Sequence, residues 1–157
     1  MNEEIRRIWR RLQLFVALGR VSTGRDTGAV QELQLQIGAK EIQDNAPRLG
    51  EWGFASMPLP GCHAVMVFVG GDRSNGVIVG TNDQQHRMRD LKPGEVAIHD
   101  DQGQSVYITR DGIVIDGGGK AINFVNTPSI KHDGVEIGNP HRHGGVQSGG
   151  STTSTPV

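Results

Sequence analysis

The sequence has few of the residues from which a large globular core is built. Aromatic residues make up 4% and hydrophobic residues 35% of the 157 positions, whereas glycine occurs 23 times. A compact monomer of this length would therefore bury little apolar surface. An extended or oligomeric molecule avoids this deficit, because the apolar face of one chain is covered by another chain. The composition thus favours an assembly over a single globule.

Cysteine, long apolar runs and net charge are also scarce. The single cysteine, Cys62, has no partner for an intrachain disulfide, and we expect it to be a buried core residue. The longest apolar run, Ala64 to Val69, is far shorter than the roughly 20 residues of a membrane-spanning helix. We expect a soluble protein without a signal peptide. A formal net charge of -1 gives no overall field that would attract nucleic acid or anionic lipid.

A short amphipathic helix is predicted at the start of the chain. Its apolar positions recur at helical spacing, and arginines lie between them. The apolar positions are Ile5, Ile8, Trp9, Leu12 and Phe15, and the arginines are Arg6, Arg7, Arg10 and Arg11. The arginine face is either a solvated surface or a docking face for a partner.

Five short strands are predicted in the first half of the chain. They are rich in Val, Ile, Leu and Phe, and turn sequences such as TGRDTG, PLPG and GGDRSNG separate them. The predicted strands are Phe15–Ser22, Val30–Ile37, Gly50–Ser56, His63–Val69 and Gly76–Gly80. Five strands within about 70 residues suit a small barrel, of which the OB-fold is a common kind. We therefore expect residues 1–82 to form an OB-fold domain that begins with the short helix.

The second half of the chain differs from the first in its sequence pattern. Residues 83–94 are polar and charged and end in Pro-Gly, which predicts a linker. Beyond them, an I-x-x-D-G-[IV]-x-I pattern occurs at Ile108–Ile115 and again, 22 residues later, at Ile130–Ile137. Short strands joined by tight Asp-Gly turns need neighbours to cover their apolar faces. Residues 95–138 are therefore predicted to form a β-helix wound from several chains or, alternatively, a hairpin appended to the barrel.

Residues 139–157 hold the densest pair of metal-ligating side chains. In NPHRHGGVQSGG, His141 and His143 can project to the same side of an extended strand while Arg142 faces away. Two imidazoles are too few for a structural zinc, and no CxxC or HxxxH group completes one. Three chains around an axis would supply six nitrogens, which suits an octahedral ion such as iron. The alternative is a disordered tail that happens to contain histidine.

The residues after this pair argue against a metallohydrolase. Such sites need further His or Asp ligands and an open position for water. The 14 residues after His143 contain no His, Asp, Glu or Cys. We therefore predict that the chain is not an enzyme.

These stretches together resemble the baseplate assembly protein V family, the central spike proteins of Mu-like and P2-like contractile phage tails. RLGEWGFASMPLPG and AVMVFVGGDRSNGVIVGT look like the OB-fold domain of the Mu-like spike, and DLKPGEVAIHDDQGQSVYITRDGIVID looks like the start of its β-helix. PHRHGGVQSGGSTTSTP resembles the family's apex, where an H-x-H motif from each of three chains holds iron. Carried over to this sequence, the metal ligands are His141 and His143.

The resemblance implies an all-β protein with an N-terminal OB-fold barrel, followed by a trimeric intertwined β-helix spike with a metal-bound apex. It implies a mechanical function, in which the homotrimer caps the tail tube, contacts tube and baseplate hub proteins, and pierces the bacterial outer membrane when the sheath contracts. Such a protein is assembled in the host cytoplasm and ends in the virion tail. Spikes of this family also hold calcium or chloride, and no residue here is matched to those ions. The strand region Val96–Ile137 is short, which implies few windings.

Two other functions stay open at this point. The first is the spike of a phage-tail-like injection device, of the pyocin or type VI secretion type, which would need the same structural features. An OB-fold module that binds nucleic acid or carbohydrate is the second alternative. It would need a basic groove with interleaved aromatic residues, and this sequence has few of those, so no nucleic acid is expected as a partner.

Overall fold

The computed structural model describes residues 2–138 and residue 149, and for Arg10, Arg11 and Gln13 it describes the backbone alone. The described residues form one helix, α1 (Glu3–Gln13), one 3-10 turn (Val69–Gly71) and ten strands. The strands are β1 (Val16–Arg25), β2 (Gln31–Ile37), β3 (Glu41–Arg48), β4 (His63–Phe68), β5 (Gly76–Asn82), β6 (Val96–His99), β7 (Ser105–Ile108), β8 (Ile113–Asp116), β9 (Lys131–His132) and β10 (Val135–Glu136). The prediction of a mostly β chain with one N-terminal helix is confirmed.

The chain divides into two compact units, the first ending at Gly119 and the second beginning at Lys120. The first unit contains α1, the strands β1 to β8 and the segment 83–94 that was predicted as a linker. The boundaries predicted at residues 82, 94 and 138 stay predictions. No helix among the described residues has the length and apolarity needed to cross a bilayer.

Strands β1 to β5 close into a barrel in the order β1–β2–β3–β5–β4, and β4 pairs back onto β1. The pairs are antiparallel except for β3 and β5, which meet in parallel at Arg48 and Ile78. A closed barrel leaves no long unpaired edge, so this part of the chain satisfies its own backbone hydrogen bonds. The barrel is OB-like, in agreement with the sequence-based prediction.

The barrel interior is the hydrophobic core of the chain. Along β2, Leu33 and Leu35 are buried while Glu32, Gln34 and Gln36 are partly exposed, as the two-residue period of a strand predicts. The buried core consists of Val21, Leu33, Leu35, Ala46, Cys62, Ala64, Met66, Phe68 and Ile78. Burial raises the pKa of the Cys62 thiol, which favours the unreactive protonated form. Cys62 is thus a core residue, as predicted.

The third strand of the barrel differs from the predicted one. Gly50–Ser56 forms no strand and is instead a loop in which Trp52 is 98% and Phe54 is 70% exposed. Arg48 closes the base of this loop, because its guanidinium donates to the Ser56 carbonyl at 2.6 Å and to the Ser56 hydroxyl at 2.9 Å. The prediction was wrong because it relied on the apolar content of the segment.

The strand that takes its place, β3, is mostly polar and contains Pro47. Of its residues, Ala46 is buried in the barrel core. Asn45 has a positive φ of 51° where two residues of β3 lie opposite Gln34 of β2, which is the geometry of a β-bulge. The bulge turns Ala46 inward, so barrel closure compensates for the low strand propensity of this segment.

Arg73 covers the core at Phe68. Its guanidinium carbon lies 4.0 Å from the centre of the Phe68 ring. Its Nη2 donates to the two carboxylate oxygens of Glu41 at 2.6 and 2.5 Å. The hydrogen bond from Arg73 holds the pKa of Glu41 below its usual value. The ion pair and the cation–π contact thus fix one arginine over the largest core side chain.

The remaining strands form two smaller sheets. In the first unit, β6, β7 and β8 make an antiparallel sheet in that order. In the second unit, β9 and β10 pair across Asp133 and Gly134, whose φ values are 47° and 82°. Positive φ at both central residues is what a type I′ hairpin turn requires. The predicted Asp-Gly turn is therefore confirmed at this position.

The first copy of the pattern forms a longer loop. Ile108 pairs with Ile113, so four residues separate β7 from β8. The Thr109 hydroxyl oxygen accepts hydrogen bonds from the backbone N–H groups of Asp111 and Gly112, each at 3.0 Å. This side chain stabilises a wider loop, and it explains why two similar sequences form hairpins of different register.

Replacing Phe68 with alanine should destabilise the barrel by about 3–5 kcal/mol, because a wholly buried ring would be lost and a cavity left beneath Arg73. Urea unfolding followed by circular dichroism measures this loss. The matched control is Phe54→Ala in the exposed loop, which should change stability by no more than about 0.5 kcal/mol. Equal losses from the two substitutions would contradict the assignment of Phe68 to the core.

Candidate assembly surface

The sheet formed by β6, β7 and β8 carries an aliphatic face. Val96, Ile108 and Ile113 are cross-strand neighbours in one row, and a second row of three lies two residues along the strands. Because side chains alternate along a strand, the two rows project to the same side. The members of this aliphatic sheet face are Val96, Ile98, Val106, Ile108, Ile113 and Ile115, and each is between 40% and 68% exposed. No part of the described chain covers this face.

The opposite side of the same sheet is more polar. Its members are Ala97, His99, Ser105, Tyr107, Val114 and Asp116. The Tyr107 hydroxyl donates to the Glu95 carboxylate, and this bond lowers the pKa of Glu95. The Lys92 N–H donates to the same carboxylate at 2.8 Å. The sheet therefore has one polar side and one side that water solvates poorly.

The size of the aliphatic sheet face indicates what covering it would contribute. Full burial of one Val or Ile side chain is worth about 1.5–3 kcal/mol, so six half-exposed ones would contribute on the order of 5–10 kcal/mol per chain. A three-stranded sheet of four-residue strands has little other stabilisation of its own. Covering the aliphatic sheet face would therefore add substantially to the stability of the sheet.

The second unit, Lys120 to Gly138 among the described residues, is even less able to bury its apolar side chains. None of these residues is buried. Its exposed large hydrophobic residues are Ile122, Phe124, Val125, Val135 and Ile137, at 49% to 75% exposure. The hairpin is held by Glu136, whose carboxylate accepts the N–H groups of Ile130 and Gly138 at 3.1 and 2.8 Å. Local hydrogen bonds, rather than a core, shape this unit.

The predicted metal ligands His141 and His143 lie outside the described residues, so the metal site stays a prediction. Of the other histidines, His63 lies in β4 and its Nδ1 is 2.8 Å from the Gln84 amide nitrogen. His99 ends β6, and His132 lies in β9. Across residues 2–138, no group of three or more His, Cys, Asp or Glu side chains is arranged to hold a metal ion.

A cleft of about 520 Å³ lies within the first unit, lined by parts of the barrel and of the small sheet. At its wall, the Asp83 carboxylate accepts from His86 Nδ1 at 2.7 Å and from the Gln85 N–H at 2.8 Å. The bond from His86 lowers the pKa of Asp83 to about 2, and the same bond raises the pKa of His86. The ion pair fixes the turn that follows β5.

This cleft lacks the arrangement of a nucleophilic enzyme among the described residues that line it. Cys62 interacts with the carboxylate of Asp83, and this interaction, together with burial, raises the pKa of the thiol. A catalytic cysteine needs the opposite shift, which an adjacent imidazolium would produce. The Asp83–His86 pair holds the turn that follows β5.

Comparison with known proteins identifies the family of the barrel. Residues 19–85 match the family described as Bacteriophage Mu Gp45, N-terminal. The barrel region of the chain belongs to this family. The chain is 33% identical over 112 residues to the "Baseplate puncturing device gp45" of Escherichia phage Mu, an alignment that covers 71% of this chain and 57% of that protein. The resemblance to phage baseplate spike proteins is thereby confirmed.

A second relative is the "Mu-like prophage FluMu protein gp45" of Haemophilus influenzae. It is 34% identical over 115 residues, which cover 73% of this chain and 63% of that protein. The chain thus spans about three fifths of the length of these two curated relatives. The family is one of structural baseplate proteins, in agreement with the prediction that the chain is not an enzyme.

Replacing Asp83 with asparagine should lower the pKa of His86, because the hydrogen bond that His86 donates to the Asp83 carboxylate is the main cause of its raised value. The charge of Asp101 raises this pKa less, so Asp101→Asn is the matched control with a smaller effect. An NMR titration of the His86 ring measures both. Equal pKa values in the two variants would show that Asp83 does not hold the imidazole.

The hydrogen-bonded pair of Asp83 and His86 predicts that the stability of the protein depends on pH. The raised pKa of His86 contributes stability that is fully present below about pH 6.5 and is lost as the pH rises through the folded-state value. The lowered pKa of Asp83 contributes stability that is fully present above its usual value of 3.8 and is lost as the pH falls to about 2. The pair should therefore stabilise the turn most between about pH 4 and 6.5.

Proposed function

We propose that the chain forms the central spike of a contractile phage tail baseplate. In this proposal it is a homotrimer that caps the tail tube, contacts the tube and hub proteins, and pierces the bacterial outer membrane when the sheath contracts. The aliphatic sheet face is the observation that carries the proposal, because one chain leaves it in water. Similarity to the "Baseplate puncturing device gp45" of phage Mu supports the mechanical function.

A threefold arrangement would cover the aliphatic sheet face and would also provide partners for the free edges of the sheet. Three copies whose aliphatic sheet faces point to a common axis would bury all of them in one narrow core. The outer strands β6 and β8 have free edges among the described strands, and strands of neighbouring chains can pair with those edges. Residues 95–138 would then wind into an intertwined β-helix.

The architecture also suits a device that transmits force along its axis. Strands that are hydrogen-bonded on both edges and buried on one side unfold only when many contacts break together. The barrel is the self-sufficient part, so it is suited to join the spike to the tail tube that drives it forward. We assign tube capping and hub contact to the barrel and membrane piercing to the wound end, in a protein assembled in the host cytoplasm and located in the virion tail.

The proposal also includes one iron ion bound at the apex of the trimer. His141 and His143 of three chains would supply six imidazole nitrogens to one octahedral ion on the axis. Two histidines of one chain do not fill such a site, so the ion binds the trimer and thereby stabilises it. In such a site the absence of side chains at Gly144 and Gly145 would leave room for three backbones to approach each other. The iron is structural and ties three chain ends into one point.

Replacing Ile115 with aspartate should convert the trimer into monomers, because three carboxylates would be buried without partners in the wound core. Light scattering measures the mass, which should be three times the 16.9 kDa chain for the unaltered protein and that of one chain for the variant. The matched control is Val114→Asp on the polar side of the same strand, which should remain a trimer. An unaltered protein that is monomeric would refute the spike proposal.

Replacing both His141 and His143 with alanine should abolish iron binding and leave the trimer assembled, because the wound strands provide most of the interface. Elemental analysis and light scattering of the same sample check both results, with about one iron per three chains expected before substitution. Arg142→Ala is the control and should retain the iron, since in an extended strand the residue between the two histidines would project to the opposite side. Undiminished iron in the double variant would show that other residues hold the metal.

A further inference from the structure

We infer that helix α1 of one copy packs on the outer wall of the barrel of the next copy in the trimer. The inference rests on the proposed trimer, and it assigns partners to two apolar surfaces that the spike core does not use. The first surface is the apolar stripe of α1, formed by Ile5, Ile8, Trp9 and Leu12. The second is the aliphatic barrel wall on β1, β4 and β5.

The apolar stripe of α1 is uncovered within its own chain. Its four members are between 46% and 63% exposed although they share one face of the helix. Arg6 and Arg7 lie on the other side and are exposed to water. A helix with such a division of apolar and charged residues is stable only when its apolar stripe packs against another surface.

The aliphatic barrel wall is an equally uncovered surface of matching chemistry. Leu18 pairs with Val65, and Val67 pairs with both Val16 and Val77, so adjacent strands bring these side chains together. Their neighbours Ala64, Met66 and Ile78 point into the core, so the wall side chains point outward. The wall consists of Val16, Leu18, Val65, Val67, Val77 and Val79, and its exposed members are 37% to 61% exposed.

Within one chain the helix does not cover the wall of its own barrel, because the apolar stripe and the wall both remain exposed. Only Leu14 and Phe15 separate α1 from β1, so the position of the start of β1 determines where the helix ends. The joint is also held in place, because the Phe15 carbonyl accepts the Phe68 N–H at 2.8 Å. The Leu14 carbonyl accepts from Arg73 Nη1 at 3.4 Å. The helix contacts the 3-10 turn Val69–Gly71 that follows β4, and its apolar stripe stays exposed.

The two surfaces fit each other in size and in symmetry. The 11 residues of α1 make a rod about 16 Å long, and three adjacent strands make a wall about 10 Å wide. A helix stripe on a flat apolar sheet is a standard layer packing. Since the stripe and the wall are different surfaces, their contact is head-to-tail, and three such contacts close into a ring with no surface left over. The arginines remain in water on the outside of the helix.

Disulfide trapping tests this contact in the full-length protein. In a Cys62→Ala background, which removes the natural thiol, the pair Ile8→Cys and Leu18→Cys should form a covalent trimer under mild oxidation. A non-reducing gel measures the product, after light scattering has established that the variant is trimeric. The control pair Arg7→Cys and Leu18→Cys places the first thiol on the opposite face of the helix, so we expect at least about tenfold less covalent trimer.

Each other result overturns the inference in a distinct way. Loss of thiols at the mass of one chain would mean that α1 folds onto its own wall. Covalent dimers from Ile8→Cys alone would mean that the helices of the trimer pack on each other. A trimer without cross-linking above the Arg7→Cys control would mean that the helix docks on another protein or on a lipid surface. A monomeric unaltered protein would instead refute the proposed trimer itself.

Discussion

Six aliphatic side chains on one side of β6, β7 and β8 form a face that a single chain leaves exposed to water. The need to cover this face is the main physical constraint on the structure. These side chains align because the register of two short hairpin connections brings Val96 beside Ile108 and Ile113, and Ile98 beside Val106 and Ile115. One chain has no element to place over them among its described residues. An exposed apolar surface of this extent is unfavourable in water, and this is why we propose that other copies of the chain cover it.

The barrel, by contrast, buries its apolar side chains within one chain. Its strands close on themselves, its core is buried, and Arg73 and Glu41 cover the core at Phe68. Because its backbone and its core are satisfied locally, the barrel tolerates a polar third strand and a long exposed loop. The barrel therefore buries its apolar side chains within one chain, whereas the strands β6 to β8 leave six of theirs exposed.

Local patterns were reliable where a local interaction decides the structure. The alternation in QELQLQI predicted β2 and its buried leucines, and the Asp133-Gly134 pair predicted a hairpin turn whose positive φ values the fold contains. The spacing of Ile5, Ile8 and Leu12 predicted α1. These features depend on the period of a strand or helix and on the steric freedom of a turn residue, which neighbouring residues in the chain determine.

The composition and local order of the residues therefore determined a small barrel and short strands with tight turns, and they favour an assembly because core residues are few. The tertiary structure decided which segment became β3, because barrel closure and a bulge at Asn45 selected a polar stretch over the more apolar Gly50–Ser56. It also decided that six aliphatic residues from three strands share one face, since register is a non-local property that no single strand contains. His141 and His143 were found by their spacing alone, and the partner chains that would complete their site lie beyond what a single sequence can determine, because a site on a symmetry axis is built by several copies.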